Sequence, residues 1–436
     1  MQKVFGITGL LILVVSTLLL PTEIGFIDGE QFKNVQLGAE AIDYVDRNAI
    51  AVMGNTDFLL QAATEGWIGT GTKEDPIIIE GFRIEGSKHL FRMVNTDLHF
   101  IFRNSILNGI DKAWCGLYLA NMSNGVITNV VVKNSATAFH TVAIANCTIS
   151  QNEIYDSKNE AIALELPCSG NIISENLIHD NLGGGIWFDY GCKDNIISRN
   201  QIYDNGGNGI YIWQNTQELW ISGNVVVENN ITRQVNGISI QSTGNLIKNN
   251  TITDSHSAGI LCKGYENTFE NNIITNTRGI GIQMYLYGTG NVFSFNSIQN
   301  STEYGMRIRT LCNDNIVTNN DFINNNLTSQ VSDDGDGNIF SHNYFSSWNA
   351  PDTDANGEVD IGYPISGVSN NTDQQPLTYP NCELPDWYEY SIVSATIVDD
   401  WQIEQVNIII ALSLMLVVTV GVVVFLSRKS HRTESV

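Results

Sequence analysis

Basic residues are scarce in this chain of 436 residues, 22 Lys and Arg against 46 Asp and Glu. The net charge of −24 and the lack of any basic stripe exclude nucleic acid as a partner. Charge of either sign is also thin, at 16% of residues, so the acidity reads as a solubility device rather than a binding signal. Seven cysteines include no C-x-x-C, and seven histidines lie scattered with no H-x-H. No helical run of ten residues fits between the short apolar stretches of the middle of the chain, and a regular Leu ladder is missing, so a leucine-rich repeat is excluded.

What is present is a sentence written many times. "NIISENLIHDNLGGGIWF" begins at Asn171 and "NIISRNQIYDNGGNGIYIW" at Asn195, 24 residues on. "LWISGNVVVEN" from Leu219, "NLIKNNTITD" from Asn245 and "NTFENNIITN" from Asn267 continue it, as do stretches from Asn291, Asn315 and Asn338. Read backwards, related stretches start at Cys147, Val126, His99 and Pro76. A middle asparagine forms a column of Asn104, Asn129, Asn152, Asn176, Asn200, Asn224, Asn250, Asn272, Asn296, Asn320 and Asn343.

Each unit carries three short runs with the alternation of half-buried strands, as in "NIIS", "NLIHD" and "GIWFD". Three strands and three bends per unit describe an all-β, right-handed parallel β-helix solenoid. Roughly twelve coils at about 4.8 Å each would span some 55 to 60 Å. Asn suits the bends because it tolerates the left-handed backbone region, and amides stacked one coil apart satisfy one another as a ladder.

Both ends of the sequence carry apolar segments. Residues 1–25 read as a signal peptide or an uncleaved anchor, since "VFGITGLLILVVSTLLL" follows Lys3 with no clear cleavage site after it. Residues 406–426, "VNIIIALSLMLVVTVGVVVFL", carry no charge and run into Arg428, Lys429 and Arg432. That is the pattern of a C-terminal transmembrane helix with a basic cytoplasmic tail, 427–436, and it predicts a single-pass cell-membrane protein with its ectodomain outside. N-x-S/T sequons at Asn121, Asn146, Asn230, Asn249, Asn300, Asn326 and Asn370 agree, though an Asn-rich chain generates them by accident. Between the ends, the expected order is an N-terminal cap over 26–75, the β-helix over 76–345, a C-terminal cap over 346–380 and an acidic stalk over 381–405.

Cys168 and Cys192 are 24 residues apart in equivalent positions, which places them on neighbouring coils within disulfide reach. A bridge and a pair of free thiols are both open readings. Cys147 and Cys262 fall at inward positions, where buried free thiols are expected.

With its N-x-I and G-I-x-I runs, the stretch "GTGTKEDPIIIEGFRIEG" and the closing "NYFSSWNAPDTDANGEVDIGYPI…QPLTYP", the chain resembles the β-helix proteins related to NosD, the periplasmic accessory protein linked to copper. That group is described with carbohydrate-binding proteins and sugar hydrolases. The resemblance covers about residues 50–380 and implies the fold, with a carbohydrate-related role as an expectation. Copper itself finds no support, since M-x-M and clustered Cys are missing along with H-x-H.

Outward residues of one strand stack stack into columns along which a long ligand could lie. On the G-I-x-I strand the first column reads Tyr118, Ala163, Trp187, Tyr211, Ser239, Leu261, Gln283, Arg307, and the second Ala120, Glu165, Asp189, Trp213, Gln241, Lys263, Tyr285, Arg309. Trp187, Tyr211 and Trp213 beside Asp189 and Glu165 suit sugar rings, or else pack on one another to cover the strand face. Arg307 and Arg309 with Tyr285 suit an acidic polysaccharide, or stand as solvated charges. The run Asp352-x-Asp354-x-Asn356-Gly357-x-x-Asp360 matches the first half of a calcium loop but has Tyr363 where the closing Glu would stand. A structural calcium ion is the only cofactor suggested, with a plain acidic turn as the alternative.

Pectinolytic signatures are absent, with no H-G, no R-x-K and no R-x-P-x-x-R, so no catalytic residue is assigned. Glu165 and Asp189 on adjacent coils form one carboxylate pair of the kind a glycosidase uses. The expected function is a membrane-anchored surface protein that binds glycan or another surface protein through the aromatic strand face. A polysaccharide lyase or glycoside hydrolase on the same face is the alternative.

Overall fold

The computed structural model describes residues 43–214, 222–325 and 329–381. The segments 1–25, 406–426 and 427–436, and the stalk from residue 382, lie outside the described residues. Among the described residues no helix is long and apolar enough to cross a membrane.

The chain winds into a parallel solenoid of about 11 turns, with three strand stacks per turn. The first stack runs through Ile172–Ser174, Ile196–Ser198 and Val225–Val227, the second through Leu177–His179, Gln201–Tyr203 and Asn230–Thr232, and the third through Ile186–Phe188, Ile210–Ile212 and Asn236–Ile240. Each strand pairs in register with its counterpart one coil on, as Ile173 with Ile197 and Ile178 with Ile202. Coiling starts earlier than the expected boundary at 76: Val45–Arg47 pairs with 82–84, and Ile50–Met53 with 91–94. The helix Asn55–Glu65 then covers this end, with Phe58 buried edge-on to Phe100 at 5.7 Å between centroids.

Alternation explains the core. Ile173, Ile197, Val226 and Ile247 from the first stack and Ile178, Ile202, Ile231 and Ile252 from the second are fully buried. Each such side chain contributes roughly 1.5–3 kcal/mol by leaving water. The glycine of the G-I-x-I strand is a steric requirement. A Cβ on Gly259 would stand 2.3 Å from Ile274 Cγ2 and 2.7 Å from the Gly281 carbonyl.

The asparagine column is real but is divided differently from the expectation. One buried ladder runs Asn152, Asn176, Asn200, Asn229, Asn250, Asn272, Asn296, Asn320, Asn343, with each Nδ2 donating to the next Oδ1 at 2.9–3.0 Å. Asn224 is not a member. It stands in a second buried ladder, receiving Asn195 and donating to Asn245 at 3.0 Å each. The coil after Asn200 is longer, so the step to Asn229 is 29 residues, and equal spacing selected the wrong asparagine. Asn104 and Asn129 are also outside the ladder. They turn at φ 50° and 56° and bond each other at 2.6 Å on the outside of the bend. In the buried ladder the left-handed position falls one residue earlier, at Glu175, Arg199 and Asn249 (φ 57°, 53° and 54°). The ladder asparagines themselves satisfy buried backbone, Asn200 Nδ2 also donating to the Ile173 carbonyl at 3.0 Å.

At the far end Tyr363–Pro364 pairs antiparallel with Thr372–Asp373, and Tyr363 stacks on Phe345 at 3.7 Å.

Candidate functional site

The outward column of the third stack contains Arg92, Tyr118, His140, Ala163, Trp187, Tyr211, Ser239, Leu261, Gln283 and Arg307 in continuous register. The register keeps the order of the expected column but inserts His140 between Tyr118 and Ala163, a coil the expectation left out. Sequence reasoning missed His140 because its strand reads "AFHT" where later coils read G-I-x-I. Alignment of Phe139 with the inward Ile162 was the signal that would have placed it.

Over these coils the face forms a groove of about 420 Å³ lined by His89, Trp114, Cys115, His140, Glu165 and Trp187 among others. Trp114 stands at its rim, 64% exposed, edge-on to His89 at 5.7 Å. His140 Nε2 lies 3.3 Å from Glu165 Oε2, close but without hydrogen-bond alignment, and His140 Nδ1 lies 3.8 Å from Cys115 Sγ. Burial pushes the Cys115 thiol up to about 12, so it is no ready nucleophile. Burial, then the neighbouring Arg92 and His140, lowers the pKa of His89.

Asp189 sits one coil beyond Glu165, its N–H bonded to the Leu164 carbonyl at 2.9 Å. Its side chain is buried, and desolvation, with the negative Glu165 adding, pushes its pKa up to about 6 against the pull of the Tyr190 N–H. The structure therefore brings Glu165, Asp189 and His140 together, where the sequence suggested only the two acids.

The aromatic cluster follows the alternative in which the rings pack on one another. Trp213 stacks with Trp187 at 6.2 Å and with Tyr211 at 6.4 Å, and Tyr190 meets it edge-on, so the rings cover one another and are half-buried. Tyr211 Oη accepts from Gln241 Nε2 at 2.7 Å, and burial followed by Asp189 pushes the phenol up to about 12. Trp187 keeps contact with the groove, and its Nε1 is buried with no acceptor among the described residues.

Farther along the same face Tyr285 is flanked by cations, with Lys263 Nζ 5.8 Å and Arg309 Cζ 5.2 Å from its ring centre. Arg307 lies over Tyr304 at 5.6 Å.

Cys168 and Cys192 lie side by side as expected, but the bridge is not formed. Both are buried free thiols, and Cys192 Sγ is turned to the Asp189 carbonyl at 3.0 Å and the Leu166 carbonyl at 3.3 Å.

In the C-terminal cap, donor oxygens of Asp352, Asp354 and Asp360 lie within 4.8 Å of one another. The turn is held from inside: Asn356 N–H donates to Asp352 and Asp354 at 3.2 Å each, and Asp360 accepts from Thr353 N–H at 2.8 Å. Tyr363 is buried against Phe345 and offers no closing ligand, while Glu358 is engaged with His342 at 3.4 Å. These three carboxylates and the Asn356 carbonyl are the donors on which a calcium ion would draw.

Solved structures share this fold at low identity. The A-module of the Azotobacter vinelandii mannuronan C-5 epimerase AlgE6 superposes with a TM-score of 0.50 at 15% identity, over 68% of this chain and 89% of that one. The catalytic domain of Agl-KA reaches 0.51 at 15% identity over 69% of each chain. An alginate lyase from Paenibacillus sp. str. FPU-7 reaches 0.42 at 17% identity over 67% of this chain and 97% of that one. At such identity the likeness is one of fold. No curated protein sequence matches the chain. Residues 81–233 and 222–361 match the model described as right handed beta helix region, and the chain belongs to that family.

Proposed function

We propose that this protein is a glycan-engaging β-helix that holds its ligand on the outward face of the third stack. The observation that carries the reading is the groove of about 420 Å³ between Trp114 and Trp187, with His140 and Glu165 in its lining. Aromatic faces accept the C–H faces of sugar rings, and convergent polar groups orient the hydroxyls. His89 Nδ1 and Trp187 Nε1, in two of the side chains that line the groove, are buried without a partner among the described residues. The epimerase AlgE6, named for mannuronan, supports a polysaccharide over a protein ligand. Display at the cell surface by residues 406–426 is part of the same proposal and rests on their uncharged length followed by basic residues.

One observation favours turnover as a second reading. Asp189, with its pKa pushed up to about 6, adjoins Glu165, which in turn meets His140 at 3.3 Å. An acid poised near neutrality beside a carboxylate and an imidazole is the equipment of general acid–base chemistry, as a glycosidase or polysaccharide lyase requires.

The test is a glycan-array screen of the full-length chain with Trp114→Ala and Trp187→Ala. Selective binding lost in both variants supports the reading, and a folded protein that binds no glycan overturns it. Release of shortened chains from the bound glycan, stopped by Glu165→Gln while binding persists, would establish turnover.

A further inference from the structure

Part of the cations on this acidic protein are paired with neighbouring carboxylates among the described residues. Arg47, Arg83, Arg103, Arg199, Arg233 and Lys248 each lie within 4.0 Å of an Asp or Glu. Lys263, Arg307 and Arg309 do not, among the described residues, although they crowd the same patch of the third stack. Lys263 and Arg309 share the Tyr285 ring at 5.8 and 5.2 Å, and Arg307 lies one strand beyond Gln283. Nε of both arginines is buried without an acceptor. Three like charges gathered in a partly desolvated patch repel one another, and an unsatisfied buried guanidinium N–H is costly. Burial accordingly lowers the pKa of Lys263. The arrangement becomes favourable when an oxyanion supplies the missing charge and acceptors, and Arg in particular matches carboxylate or sulfate in a two-pronged fashion.

We infer that Lys263, Arg307 and Arg309 form an oxyanion subsite, and that the ligand of this face is a long anionic polysaccharide bearing carboxylates or sulfate esters. The inference rests on the glycan reading of the groove. Position supports a single extended ligand. The second outward column passes from Glu165 through Asp189, Trp213, Gln241, Lys263 and Tyr285 to Arg309, each joined to the coil before it. At about 4.8 Å per strand the subsite begins roughly 19 Å from Glu165 and ends roughly 29 Å from it, on the same face. Asp189 and Glu165 repel anions at one end, so an acidic chain would be held chiefly through its charges at the subsite and through its ring faces in the groove.

The experiment measures affinity of the full-length protein for dextran, dextran sulfate and polygalacturonate, with Arg307→Gln/Arg309→Gln, Lys263→Gln and Trp187→Ala as variants. The expected result is tight binding of at least one anionic polymer. The double arginine variant weakens it by tenfold or more and Lys263→Gln to a lesser degree, with a shallower salt dependence in both. Which polymer binds distinguishes sulfate from carboxylate. Anionic affinity unchanged in folded arginine and lysine variants overturns the subsite. Equal binding of neutral dextran by wild type and arginine variants, lost in Trp187→Ala, also overturns it but leaves the groove reading standing. Loss in the arginine variants with no effect of Trp187→Ala sustains the subsite and defeats the groove.

Discussion

Asp373 ends the long asparagine ladder, its Oδ2 accepting both the backbone N–H and the Nδ2 of Asn343 at 2.9 Å. The carboxylate is fully buried, and desolvation raises its pKa against the pull of these donors. A solenoid needs such a terminus, because the last amide of a stack has no further coil to bond. Asp373→Ala leaves two buried donors unmet and is expected to cost about 2–4 kcal/mol. Asp373→Asn, which keeps an acceptor oxygen, should cost less. Urea unfolding at unchanged m-value reads both.

The inside and outside of the bends should respond unequally to the same substitution. Asn200 accepts from the Asn176 backbone and side chain at 3.0 and 2.9 Å while donating to Ile173 and Asn229. Asn200→Ala is expected to destabilise by roughly 3 kcal/mol or more. Asn104→Ala, on the outer turn at φ 50°, loses chiefly its tolerance of that backbone region, about 1 kcal/mol. Equal costs in denaturant titration would refute the division into inner and outer asparagines.

Asp189 should leave a signature in pH-dependent stability. Its folded pKa, pushed up to about 6, lies above the ordinary carboxylate value, so the native state holds this proton more firmly than the unfolded chain. Between the unfolded value near 4 and about 6, this group makes stability fall as pH rises, opposite to a salt-bridged carboxylate. Asp189→Asn removes the buried charge. It is expected to raise the thermal midpoint above pH 6 and to flatten this part of the profile. A profile identical to wild type would show that Asp189 carries no such shift.

Cys168 and Cys192 are poised for oxidation although free. The Cys192 thiol hydrogen-bonds Cys168, which lowers the Cys168 pKa and raises that of Cys192. Under a mild oxidant a bridge between them is expected, detected by peptide mapping as a loss of two hydrogens. Closing a loop of 24 residues, from 168 to 192, would stabilise the coil pair by roughly 3 kcal/mol. Alkylation of both thiols at unchanged stability after oxidation would contradict this.

Much of the fold was legible because a solenoid writes its contacts locally. The residue that meets Ile173 is the equivalent residue one coil on, Ile197, so a spacing of 24 is already a contact map. The same logic placed Trp187 beside Tyr211 and Glu165 next to Asp189, because period-two alternation sends those side chains outward. Where coil length changed, spacing misled, and Asn224 stood in for Asn229. The coil holding His140 lacks the G-I-x-I wording, and only matching Phe139 to the inward Ile162 puts that histidine on the outward column near Glu165.

By itself the sequence determined the coil, its inward apolar stacks and the outward columns, since each follows from residues repeated at short range. Tertiary structure alone decided which asparagines meet, that Trp114 and Trp187 wall a groove, and that Lys263, Arg307 and Arg309 gather farther along the same stack with no ion pair to a carboxylate among the described residues. Those outcomes depend on coil lengths, side-chain burial and contacts between neighbouring coils. They are sums over the folded molecule that no single repeat contains.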